Sequence, residues 1–172
     1  GFHDLLATNA GGDKLLSPEV KDISRPPLPF EKAGVGYVDL GSRKFVRLGE
    51  TNAYNYPQGA RQQWIDDSRF IVNNQVGDHW GADIYDTVQG CVIKTIDYPC
   101  HCLSANRKLA YGINYARLHR LGGYGYIGLN DSSIDEERPA NDGIFVTDVE
   151  TNRTSLLVSI DEVSKCDPQT SA

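Results

Sequence analysis

The chain of 172 residues lacks long apolar runs, basic clusters and the familiar signatures of a catalytic centre. Its apolar stretches are short, as in Cys91-Val92-Ile93 and Ser155-Leu156-Leu157-Val158, far from the ~18 residues that a membrane-spanning helix needs. No membrane partner is expected. Lys and Arg number 17 against 23 Asp and Glu, giving a net charge of -6, and no three basic residues adjoin. Nucleic-acid binders displace phosphate counterions with clustered cations, so no nucleic-acid partner is expected either. Gly-x-Ser-x-Gly, His-Glu-x-x-His and paired-carboxylate spacings are missing. Gly122-Gly123-Tyr124-Gly125-Tyr126-Ile127-Gly128 is glycine-rich but has no following Lys-Ser/Thr, so it reads as a flexible loop with two exposed tyrosines, not a phosphate loop.

Cysteines are few: Cys91, Cys100, Cys102 and Cys166. Cys100 and Cys102 lie two apart in a strand pattern, on one face, and the Cys-His-Cys spacing is not that of a structural zinc module. Buried, reduced thiols are the plainer reading, with no metal and no cofactor held by this chain. Gly1-Phe2-His3-Asp4 shows no basic start or apolar core of a leader. A cytoplasmic setting is expected, although a leader removed upstream of Gly1 leaves secretion open. Asn130-Asp131-Ser132 and Asn152-Arg153-Thr154 fit the glycosylation triplet, which carries meaning only in a secretory context.

What the sequence does contain is a repeat. Val35 to Leu48, Gly81 to Ile96 and Gly143 to Val158 each read as an alternating strand ending in Asp, a short polar turn and a second strand. The anchoring residues are Asp39, Asp86 and Asp148. An Asp starts such a turn by accepting from its own backbone, and Gly or Asn is expected at the left-handed position that follows. A polar turn, a basic residue and an apolar strand precede each hairpin, at 12–16, 67–72 and 106–111. Further short strands are expected at 2–8, 59–65 and 100–104. Four short antiparallel strands repeated three times predict an all-β chain of three β-propeller blades, about 1–50, 51–98 and 99–160, with 161–172 a tail or the lead-in to a further blade. This is half of a six- or seven-bladed ring. A β-sandwich of twelve short strands is the alternative, and it needs no such repeat.

Ser104-Ala105-Asn106-Arg107-Lys108-Leu109-Ala110 and Gly143-Ile144-Phe145-Val146-Thr147-Asp148-Val149-Glu150-Thr151-Asn152 resemble the strand turn and hairpin of TolB-like propeller repeats. Phe2-His3-Asp4-Leu5, Gln58-Gly59-Ala60-Arg61-Gln62-Gln63-Trp64, Asn114 to Leu121 and Gly123 to Tyr126 resemble the N-terminal half of bacterial propeller proteins related to oligogalacturonate lyase. The resemblance implies that the metal-binding residues of those lyases lie in later blades, so that a divalent metal would belong outside this chain. Three blades do not close a ring. Either the chain is a piece of a longer one, as the resemblance implies, or two copies pair as a homodimer into a six-bladed ring.

In a propeller the loops at one end hold ligands. That places candidate ligand-binding residues in three connections: Arg25 in 21–33; Asp78, His79 and Trp80 in 75–80; and Arg117, His119, Arg120, Tyr124 and Tyr126 in the insertion 115–142. Asp78-His79-Trp80 could join a carboxylate, a base and an aromatic platform for a sugar, or form a polar turn with Trp80 packed between blades. Arg117, His119 and Arg120 match an anionic ligand, or pair with Asp135, Glu136 and Glu137. His3, Asp4, Arg61 and Gln63 are expected on innermost strands facing the channel, or hydrogen-bonded in its wall. Two functions follow. One is a non-catalytic binding or scaffold propeller for an acidic oligosaccharide or a protein. The other is part of a metal-dependent carbohydrate lyase whose catalytic residues lie outside this chain.

Overall fold

The computed structural model describes residues 5–56 and 58–166. These form three antiparallel sheets that follow one another along the chain, with two short helices. The first sheet joins β1 (Lys14–Leu16), β2 (Ala33–Asp39) and β3 (Lys44–Thr51) in chain order. The middle sheet joins β4 (Gln63–Trp64), β5 (Arg69–Val76), β6 (His79–Asp86) and β7 (Cys91–Ile96). The third joins β8 (Cys102–Leu103), β9 (Leu109–Ile113), β10 (Gly143–Asp148) and β11 (Thr154–Ser159). Helix α1 (Tyr115–Gly122) lies between β9 and β10, and α2 (Ile160–Lys165) follows β11. The protein is therefore mostly β, in three successive up-and-down antiparallel sheets. The described sheets do not close into a ring.

One turn builds all three hairpins. The Asp39 carboxylate accepts from the Ser42 N–H at 2.6 Å. Asp86 accepts from Val88 and Gln89 at 2.7 and 3.1 Å, and Asp148 from Thr151 and Glu150 at 2.7 and 3.0 Å. These N–H groups hold each carboxyl below the ordinary Asp value. The N–H of Arg43, Gly90 or Asn152 then bonds back to the Asp carbonyl at 2.7, 2.8 or 2.9 Å. Its φ is 58°, 72° or 58°. The first repeat thus departs from the Gly-or-Asn pattern. Arg43 occupies the left-handed position, where a Cβ costs about 1–2 kcal/mol.

Several boundaries differ from the sequence pattern. The innermost strands are shorter than expected, because only Gln63–Trp64 and Cys102–Leu103 keep the ladder. In the first sheet the fourth strand is a single bridge from Thr8 to Leu15. Residues 1–4, with the candidates His3 and Asp4, lie outside the described residues. The segment 75–80 is no loop. β5 and β6 run through it and leave only Gly77-Asp78 as the turn, with Gly77 at φ 61°. The insertion opens with a helix. The stretch read as a tail begins with α2, whose Ser159 and Glu162 form a reciprocal capping box.

Alternation along β5 explains the stacking. Phe70 and Val72 join Leu16, Val35 and Tyr37 of the first sheet in one core cluster. Ile71, between them, joins Leu103 and Ala110 of the third sheet in another. Successive strand side chains point to opposite faces, so the middle sheet is buried on both at β5. Each such aliphatic or aromatic side chain contributes about 1.5–3 kcal/mol by leaving water.

Polar groups tie the sheets laterally. Asn73 on β5 is fully buried. Its amide accepts from the Cys100 N–H at 2.7 Å and donates to the Cys100 carbonyl at 2.9 Å, replacing a rung of ladder between sheets. Gln63 accepts from the Leu103 N–H at 2.9 Å and donates to the His101 carbonyl at 3.1 Å. The Arg61 guanidinium donates to the same carbonyl at 2.6 and 2.9 Å.

Candidate functional site

The middle sheet spends two residues between β5 and β6, whereas the third spends residues 114–142 between β9 and β10. That insertion folds around its own polar centre. Asn114 caps α1 by accepting from the Arg117 N–H at 2.9 Å, and its amide donates to Asp131 at 3.1 Å and Asp142 at 3.0 Å. Arg120 donates to the buried Asp131 carboxylate at 2.8 and 2.9 Å. Burial pushes the Asp131 carboxyl up, but the Ser133 N–H, Arg120 and Asn114 outweigh it and hold the group below the ordinary Asp value. Arg117 donates to the carbonyls of Glu137 at 2.9 Å, Glu136 at 3.1 Å and Ser133 at 3.4 Å.

An aromatic group anchors the insertion to the middle sheet. Tyr126 stacks on Tyr115 with ring centres 4.2 Å apart, and Trp80 meets Tyr126 edge-on at 5.5 Å. The Tyr126 hydroxyl accepts from Asn73 at 2.8 Å. Gly125 permits this packing, since a Cβ there would fall 1.8 Å from the Tyr115 carbonyl oxygen. Asn55 fastens the loop from below, donating to the carbonyls of Gly123 and Gly125 at 2.7 and 2.6 Å.

Between the β5–β6 turn and the insertion lies a cleft of about 380 Å³. Asp78, His79 and Trp80 line one side, and Asp97 and Tyr98 continue it at the end of β7. Opposite stand Asn114, Asn130, Asn141 and Asp142, with Phe145 contributing ring surface. The cleft therefore combines aromatic faces with amide and carboxylate groups. No Lys or Arg lines it among the described residues. The Asp78 carboxyl is held below its ordinary value, chiefly by the hydrogen bond from His79 at 3.2 Å. The Trp80 indole N–H is enclosed, without a hydrogen-bond partner among the described residues.

The structure separates the candidates from the sequence. Asp78, His79 and Trp80 come together at the cleft, with Trp80 both packed and lining. Arg117 lines a neighbouring groove instead, and its guanidinium is spent on backbone carbonyls. Arg120 is spent on Asp131, and neither engages the side chains of Asp135, Glu136 or Glu137. His119 is half-buried, its Nδ1 enclosed without a partner among the described residues. Tyr124 is exposed, but Tyr126 is wholly buried, which corrects the expectation of two exposed tyrosines. Arg25 lies apart on the first sheet's connection, in a bidentate pair with Glu31 at 2.8 and 3.1 Å. Arg61 and Gln63 are buried between neighbouring sheets. Nothing in the sequence pointed to Asp97, Tyr98, Asn114, Asn130, Asn141 and Asp142 as one site, because they converge from separate parts of the chain.

All four cysteines are free. Only Cys100 is fully buried, and burial pushes its thiol up to about 12. Cys91 and Cys166 are exposed and Cys102 is partly so, against the expectation of buried thiols throughout. No group of three or more His, Cys, Asp or Glu among the described residues is arranged to hold a metal ion. No described helix is long and apolar enough to cross a membrane. Comparisons with protein-family models, with curated proteins and with solved structures each find no match.

Proposed function

We propose that this chain is a non-catalytic binding module built from propeller-type blades, and that the cleft beside Trp80 holds a neutral or amino sugar. Three antiparallel sheets that follow one another in the chain, with Gln63, Arg61 and Asn73 joining the middle sheet to the segment that opens the third, support the blade reading. The observation that carries the ligand class is the cleft's lining. Aromatic rings suit the apolar faces of a sugar, and amides and carboxylates suit its hydroxyls. The acidic oligosaccharide that the arginines alone point to is the poorer fit, because Arg117 and Arg120 are engaged internally and Asp78, Asp97 and Asp142 face the cleft.

A titration with neutral, amino and uronic oligosaccharides tests this. Trp64→Phe leaves Trp80 as the reporting fluorophore. A saturable change is expected with neutral or amino sugars, lost in Tyr98→Ala. No response to any of them, or a response to uronic sugars only, overturns the proposal.

A further inference from the structure

We infer, on the reading that the cleft binds a sugar, that it selects a sugar carrying a protonated amine, with Asp142 as the group that meets the charge. Three carboxylates are buried among the described residues: Asp83, Asp131 and Asp142. A buried charge is costly unless a cation or several hydrogen bonds meet it. Asp131 meets Arg120 at 2.8 Å, with Arg117 at 3.9 Å. Asp83 accepts from Thr95 at 2.6 Å and Asn74 at 2.7 Å, and lines no part of the cleft. Asp142 is different. It is 4% exposed, lines the cleft and forms no ion pair among the described residues. Its partners are both neutral, the Gly143 N–H at 2.7 Å and the Asn114 amide at 3.0 Å, one to each oxygen. A carboxylate has sites for about four such bonds. Asp142 therefore keeps spare acceptor capacity and an unneutralised charge at the cleft wall.

The surrounding groups favour the same charge. Asp78 and Asp97 are exposed and border the same space. His79, the base beside them, already bonds Asp78 at 3.2 Å. The rings of Tyr98 and Phe145, with centres 4.3 Å apart, and of Trp80 line the cleft. An aromatic face attracts a cation as well as the apolar face of a sugar. No Lys or Arg stands in the lining among the described residues. A uronic carboxylate is therefore repelled, and a neutral sugar leaves Asp142 without a counter-charge. An ammonium supplies that charge together with three N–H donors.

Calorimetric titration of the whole chain with a glucosamine tetrasaccharide and with its fully N-acetylated form tests the inference, since the two share a skeleton and differ in charge. In mildly acidic buffer, where the free amines are protonated, the amine form should bind about tenfold tighter or more. Asp142→Asn should bring the ratio of the two affinities close to one, with unchanged circular dichroism. Glu50→Gln, which removes a carboxylate of the first sheet outside the cleft, should keep the ratio. Equal affinities in the unaltered chain, or tighter binding of the acetylated form, overturn the inference and leave the broader sugar reading standing. That comparison decides by itself should Asp142→Asn fail to fold. A preference that survives in a folded Asp142→Asn chain, or that Glu50→Gln abolishes as fully, also overturns the inference. Saturable binding of neither form overturns both the inference and the sugar reading.

Discussion

The middle and third sheets share strand order, the Asp-anchored hairpin and an antiparallel register, yet equivalent side chains meet different surroundings. Ile84 is 3% exposed against the third sheet, whereas Val146, at the same distance from its hairpin Asp, is half-buried with no sheet beyond it among the described residues. Their connections differ as sharply. Gly77-Asp78 closes one hairpin, and the segment 114–142, with its own helix and ion pairs, closes the other. Local pattern makes the strand and the turn. Burial depends on which neighbour arrives, and recognition surface depends on which connection is long. The candidate cleft exists because a short turn and a long insertion stand side by side.

The largest test of this contrast is Asn73→Ala, which removes the amide that joins the two sheets. It strands the Cys100 N–H and carbonyl, at about 1–3 kcal/mol for each group left unpaired, while the Tyr126 hydroxyl keeps its bond with Tyr115. Urea unfolding should show a loss of about 3–5 kcal/mol, and a loss under 1 kcal/mol would mean that water replaces the amide.

Next comes the matched pair Ile84→Ala and Val146→Ala. The first empties a site packed on both sides and should lose about 3 kcal/mol. The second should lose about 1 kcal/mol or less. Equal losses would show that the third sheet's outer face is covered in solution.

Within the insertion, Asp131→Asn should lose about 1–2 kcal/mol at neutral pH and spare the middle sheet. The sign of the pH effect follows from the lowered Asp131 value. Its contribution is complete above the ordinary Asp pKa and is lost as pH falls through the lower folded value. Near-UV circular dichroism of Tyr115, Tyr126 and Trp80 should therefore fade on acidification, and Asp131→Asn should abolish that step. A fade of the same size in the variant refutes the assignment.

The smallest effect is a gain. Arg43→Gly gives the first repeat the residue type already at Gly90, and should raise stability by about 0.5–1 kcal/mol by relieving the left-handed backbone. A neutral or negative result would show that the Arg43 side chain contributes more than its backbone strain removes.

Strands, hairpins and their order were readable along the chain because they rest on short-range causes. Side chains alternate with period two, and Asp39, Asp86 and Asp148 each bond N–H groups within three residues. The turn's left-handed residue was readable in two repeats and not in the first, where Arg43 is conformationally unfavourable and is held by its neighbours. Trp80, His79 and Asp78 could be placed near a site, since they adjoin in sequence. Their partners could not, since Tyr98 and Asn141 reach the cleft from segments with no shared pattern.

By itself the sequence determined three antiparallel sheets and the chemistry of their turns, because those depend on contacts a few residues apart. Tertiary structure alone decided that Tyr126 is buried, that Arg117 and Arg120 are consumed inside the insertion, and that Ile144 is left exposed where Ala82 is covered. A side chain's freedom to meet a ligand is what remains after distant segments have satisfied its hydrogen bonds and covered its surface. No local pattern records which distant segment does so.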